Sequence, residues 1–165
     1  MGELFGTDGV RGTAGEYPLD PPTVYKLGVA LTQSSRSRIV IGRDTRASGV
    51  WIEKVLEEAI SAHGGQVTLA NVITTPAVAF LSQSGEFDAG VMISASHNAH
   101  QDNGIKIFSN QGSKLSDEEE QQIERAVVQD EGEHPHLDIN GMNLEQVTAS
   151  HPEWIARYVD FLRKG

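Results

Sequence analysis

The sequence predicts an α/β fold, a three-layer α/β/α sandwich around a mixed, mostly parallel sheet. Two observations predict it. Short apolar runs alternate along the chain with longer segments whose apolar residues recur at helical spacing, the pattern of a sheet covered by helices. Two of the runs, 88–94 and 104–108, are joined by a loop too short for a crossover helix, so that pair is expected to be antiparallel.

Each element has its own local reason. Asp20-Pro21-Pro22 starts a helix, with Asp20 as the cap and proline in the first turn, and Val24, Leu27, Gly28 and Leu31 follow on one face. Arg38 to Gly42 reads as a short buried strand. Val50 to His63 is the next helix, apolar through Trp51, Val55, Leu56, Ala59 and Ile60 and ended by Gly64-Gly65. A strand over 66–72, a helix from Thr75-Pro76 to Leu81, and the strands 88–94 and 104–108 follow. Ser116-Asp117-Glu118-Glu119 and Ser150-His151-Pro152-Glu153 read as capping boxes, the first opening a helix to Gln129 and the second one through Leu162. Residues 130–143, with Gly, Pro and His, read as a loop. One domain, 1–165, is expected, and the last helix running straight into the terminus is how a domain of a longer protein would end.

Composition removes several function classes. The chain has 165 residues and no cysteine, which excludes disulfides, thiolate catalysis and cysteine metal sites. No apolar run is long enough to span a membrane, the N-terminus lacks the charged and apolar regions of a signal peptide, and Gly6 breaks the myristoylation pattern. A cytoplasmic protein is the expectation. With a net charge of −10, a long basic surface for nucleic acid is not expected, although a few cations can still dominate one cleft. The acidic run 117–120, with Glu124, Asp130, Glu131 and Glu133, reads as a solvated helix face and its exit loop.

Four stretches carry chemistry, each with a plainer alternative. Ile93-Ser94-Ala95-Ser96-His97-Asn98 lies at the end of a strand, where open α/β sheets bind ligands. A hydrolytic Ser96–His97 pair is disfavoured, because neighbours in extended backbone face opposite ways and no nucleophile elbow is present. A capped polar loop is the alternative. FGTDGVRG, 5–12, could cradle an anion on backbone amides with Arg11 as a clamp, or be a flexible glycine-rich segment. GRDTRASG, 42–49, either turns Arg43 and Arg46 to a phosphate or forms a network around Asp44. In DNGIK, Asn103-Gly104 is turn chemistry, and Lys106 marks either one wet face of its strand or an ammonium near Ser96. His134 and His136 read as solvent-exposed rather than metal-binding.

Taken in order, FGTDGVRG, GRDTRASG, TTPAVAFL, DAGVMISASHN, DNGIKIFS and GSKLSDEEEQQIE resemble the α-D-phosphohexomutase family across nearly the whole chain, most closely its bacterial amino-sugar branch. The resemblance implies the first of four domains. It implies that Ser96, directly before His-Asn, carries the transferred phosphoryl group, which sets Ser94 aside. It implies Mg²⁺ with Ser96 as one ligand and the others in a domain absent here, acid–base help from His97 and Lys106, and Arg11 as a stabiliser of the phosphate. The implied substrate is a phosphosugar: glucosamine 6-phosphate and glucosamine 1-phosphate would interconvert through a bisphosphorylated hexose. Glucose or mannose phosphates, or a non-catalytic phosphate-binding module, are the alternatives. The remaining domains of the same enzyme are the implied partners, and homodimerisation of the full-length enzyme stays open. One departure is Ala99, where the family usually has proline, so a looser loop is expected.

Overall fold

The computed structural model describes residues 4–140 and 150–165. In chain order the elements are β1 (Val10–Thr13), α1 (Pro21–Gln33), β2 (Arg38–Arg43), α2 (Ala47–Ala62), β3 (Gln66–Val72), α3 (Thr75–Ser82), β4 (Ala89–Ile93), β5 (Asp102–Ser109), α4 (Asp117–Gln129) and α5 (Pro152–Lys164). They form one five-stranded sheet in the order β1-β5-β4-β2-β3. β3, β2 and β4 are parallel, β5 is antiparallel to β4, and β1 is antiparallel to β5, so β5 alone runs against the other four. This is the mixed, mostly parallel sheet the sequence predicts.

The two faces are covered unequally. Ile39, Ile41, Val91, Ile93, Ile105 and Ile107 alternate onto one face and pack in a single core with α1, α2 and the Ile123 and Val127 side of α4. The other face is smaller, with Val40, Ala70 and Met92 beneath Ala77, Val78 and Leu81 of α3, extended by Trp154 and Tyr158 of α5. Among the described residues no helix is long and apolar enough to cross a membrane.

Local signals explain most of the boundaries. Asp20 caps α1 by accepting from Thr23 N, and Ser116 and Glu119 form the reciprocal box at α4. α2 begins earlier than the sequence suggests because Arg46 takes the cap position with its side chain engaged elsewhere. The second expected box does not form: Ser150 bridges to Asn71, and His151 takes the cap position without a side-chain bond to the capped amides, its ring meeting Glu153 at 3.2 Å instead. β1 was expected only as a glycine-rich segment; its strand character comes from pairing with β5. Asn103 and Gly104 belong to β5 rather than to a turn. Residues 131–140 are a loop as predicted, and 141–143 lie outside the described residues. The acidic stretch is less solvated than expected, since Glu120 is buried against Lys114, Glu124 accepts from the amides of Leu4 and Phe5, and Asp130 pairs with His134. His134 is half-buried and also packs on Tyr25.

Candidate functional site

β4 delivers the chain into a short loop, 94–101, before it returns as β5. Ser94 N donates to Gly104 O at 2.9 Å, which keeps the first loop residue in register with β5. The two serines of this loop differ in kind. Ser94 is buried; its hydroxyl donates to Asp44 Oδ2 at 2.7 Å and accepts from Ser96 N at 3.0 Å. Ser96 is exposed, and its Oγ lies 3.2 Å from His97 Nδ1. The expectation that Ser96 and His97 face apart fails because the backbone is not extended: Ser96 has φ 56°, in the left-handed region that non-glycine residues rarely occupy.

Arg46 holds this loop. Its Nη1 donates to Ala99 O (2.6 Å) and Asp102 O (3.0 Å), and its Nη2 to Ser96 O and Asn98 O, both at 2.9 Å. Asp44 orients the guanidinium, accepting from Arg46 N at 2.9 Å and Nε at 3.2 Å. The structure thus gives the Asp44-centred network rather than a phosphate-facing pair of arginines. It also supplies four carbonyl anchors to the loop in which Ala99 replaces proline. Arg43 turns inward instead: fully buried, it meets Glu53 at 3.2 Å. Burial pushes the Glu53 carboxyl up and outweighs the opposing pull of Arg43. Asn103, also fully buried, donates to Ser48 Oγ at 2.9 Å and ties β5 to the start of α2.

The N-terminal motif is ordered. Gly6 N donates to Gly9 O at 2.9 Å, closing a tight turn. Gly9 has φ 85°, and a Cβ there would stand 2.3 Å from Ile105 O, so only glycine fits. The turn presents Asp8, whose Oδ1 meets Lys106 Nζ at 2.8 Å and whose Oδ2 meets Arg11 Nη2 at 2.5 Å. The Lys106 hydrogen bond is the main reason the Asp8 carboxyl lies below the usual carboxylate range. Arg11 reaches the catalytic-loop candidate from the other side, with Nη1 3.0 Å from Ala95 O, the residue before Ser96. Of the residues singled out from sequence, Ser96 and His97 are thus in contact, Arg11 touches the same loop, and Lys106 joins Arg11 through Asp8. Asp8 and the carbonyl-collecting role of Arg46 were missed; Asp8's place between two turn glycines was the available signal. Among the described residues no group of three or more His, Asp or Glu is placed to hold a metal ion.

This arrangement, an exposed serine on a strained turn at a strand end with cations gathered beside it, suits the handling of an anionic group. The model of the phosphoglucomutase/phosphomannomutase α/β/α domain I matches residues 2–133, and the chain belongs to that family. Among curated relatives, phosphoglucosamine mutase of Solibacter usitatus is 52% identical over 130 residues, covering 76% of this chain and 29% of its own length. Phosphoglucosamine mutase of Pseudomonas putida is 42% identical over 167 residues, covering 99% of this chain and 36% of its own. A putative phosphomannomutase from Thermus thermophilus superposes with a TM-score of 0.67 at 30% identity, over 74% of this chain and 29% of that one. The chain therefore spans about a third of the length of these relatives.

Proposed function

We propose that residues 1–165 are the phosphoserine-bearing first domain of a cytoplasmic phosphoglucosamine mutase, which interconverts glucosamine 6-phosphate and glucosamine 1-phosphate. Ser96 carries the reading: its hydroxyl is exposed at the end of β4, displayed on a left-handed turn beside His97. Its relatives' names supply the substrate class.

Phosphoryl transfer depends on positioning and charge neutralisation more than on a strong nucleophile. In the first half-reaction a sugar hydroxyl bonds to the phosphorus of phospho-Ser96 as the P–Oγ bond breaks. The hydroxyl gives up its proton to a base, and Oγ takes one from an acid. His97, 3.2 Å from Oγ, and Lys106 are the groups for these protons. The resulting bisphosphorylated hexose then returns its other phosphate to Ser96 by the same steps in reverse. Arg11 stabilises the phosphate, and Asn98, whose carbonyl Arg46 holds, shapes the loop. The donor set here fits one Mg²⁺ ligand, a phosphate oxygen on exposed Ser96; bound there, the cation would neutralise charge on the transferring group. The other ligands and the sugar-recognition loops belong to the remaining domains of the enzyme.

Phosphopeptide mass spectrometry on the active full-length enzyme tests the reading. Phosphate on Ser96, and loss of turnover in Ser96→Ala, are expected; phosphate on Ser94, or on neither serine in an active preparation, overturns it. Rates on glucosamine, glucose and mannose phosphates separate the amino-sugar mutase from a phosphoglucomutase or phosphomannomutase, and inactivity on all three would mark a non-catalytic phosphate-binding module.

A further inference from the structure

We propose that Asp8 is the positioning residue that locks Lys106 and Arg11 into one unit beside the Ser96 turn. The inference rests on the phosphoryl-transfer reading above and assigns a role that neither the motifs nor the relatives' names assign.

Four observations carry it. Asp8 spends one carboxylate oxygen on each cation, and the cations stand on different strands, Lys106 on β5 and Arg11 on β1. Arg11 lies opposite Gly104, two residues before Lys106, so both side chains leave the same face of the sheet. Two like charges so placed repel, and a carboxylate bridging them removes the penalty of bringing them together. The turn is shaped for this task, since Gly9 admits no side chain against Ile105 O and Gly6 N closes the loop on Gly9 O. Finally, Arg11 passes the constraint on by donating to Ala95 O next to Ser96. Asp8 thus has no need to touch a substrate; it fixes where the ammonium and the guanidinium wait.

The alternative is an exposed ion pair of little consequence, since the Asp8 side chain is 56% exposed. A double-mutant cycle in the full-length enzyme separates the two. Asp8→Asn is expected to lower kcat about tenfold or more, with an unfolding midpoint within about 2 °C of wild type. In a Lys106→Gln background the same change should cost less than about threefold, because the ammonium that Asp8 holds against Arg11 is already gone. Wild-type kcat in D8N, a loss of activity matched by a loss of fold, or full additivity with K106Q overturns the proposal. Amine acylation of the 165-residue chain reads the same contact without turnover: D8N should speed labelling of Lys106 several-fold relative to Lys54, and unchanged labelling counts against it. Activity retained in S96A would sink the phosphoserine reading instead, so the two failures are distinguishable.

Discussion

Replacing Arg46 with alanine removes the group that gathers the Ser96 loop. Four carbonyl hydrogen bonds, to Ser96, Asn98, Ala99 and Asp102, end on one guanidinium. A bond to a charged donor is worth roughly 1.5–3 kcal/mol where both partners are buried. Ser96, Asn98 and Ala99 are exposed, so their carbonyls return to water and roughly 0.5–1 kcal/mol per bond is the working figure. The loop should therefore open more easily by about 2–4 kcal/mol, and at about 1.4 kcal/mol per factor of ten the lower end alone is about thirtyfold in the open population. Native-state hydrogen exchange reads this at two amides bonded to loop carbonyls, Asn98 N, on Ala95 O at 3.1 Å, and Asp102 N at the start of β5, on Ala99 O at 3.0 Å. Both should exchange at least about tenfold faster in R46A, while Ile41 in β2 stays unchanged. Arg46→Lys should fall between, because a compact ammonium cannot span the carbonyls a planar fork reaches. Wild-type exchange at both amides in R46A would refute the clamp.

Four further outcomes follow from the packing. Glu53→Ala leaves Arg43 buried without its Glu53 partner; breaking such pairs costs about 3–5 kcal/mol, and because Arg43 keeps other contacts the lower figure applies, about 6–12 °C in the calorimetric midpoint. The pH dependence has a definite sign: with its carboxyl pushed above the ordinary 4.5, native Glu53 binds its proton more tightly than the unfolded chain does, so stability declines as pH rises from 4.5 towards the raised value, and urea titrations of Glu53→Gln should lose that slope. Gly104→Ala would set a Cβ 2.7 Å from Ser94 O, forcing β4 and β5 apart at the loop for about 1–3 kcal/mol, seen as a lower midpoint and shifted Ser94 and Ser96 amide resonances. Ser116→Ala removes the acceptor for Glu119 N and half of the capping box, about 1 kcal/mol or 2–4 °C by thermal melt.

What could be read from sequence was what neighbours in the chain decide. Asp20 with its prolines and Ser116 with Glu119 announce helix starts because cap and capped amide lie within three residues. Ser150 carries the same motif and fails, since a distant partner, Asn71, takes its backbone into a bridge. β1 was invisible for the same reason: Val10–Thr13 is short, and only pairing with a strand far along the chain makes it one. At the site, residue types and order pointed to Ser96, His97, Arg11 and Lys106, but not their contacts. The opposed-faces expectation for Ser96 and His97 assumed extended backbone, and no local pattern signalled a serine at φ 56°. Asp8 escaped because Arg11, three residues on, is only half of its pairing, and Lys106 comes within its reach only once β1 lies beside β5.

The single reversed strand is what makes the site compact. Had β5 run parallel to β4, a crossover would separate Ser94 from its neighbours; running back, β5 places Gly104 directly beside Ser94 and opposite Arg11. The row Arg11–Gly104–Ser94 then has a gap at its centre where glycine carries no side chain. A Cβ on Gly104 would crowd both Ser94 O and Arg11 Cγ, at 2.7 and 3.2 Å. Through that gap Arg11 crosses to Ala95 O, while Lys106, one step further along the same face, meets Asp8. The antiparallel hairpin, the bare glycine and the added edge strand β1 therefore act together. They bring cations from two strands to the flank of the Ser96 loop, and Arg46 at the start of α2 holds that loop from below its carbonyls.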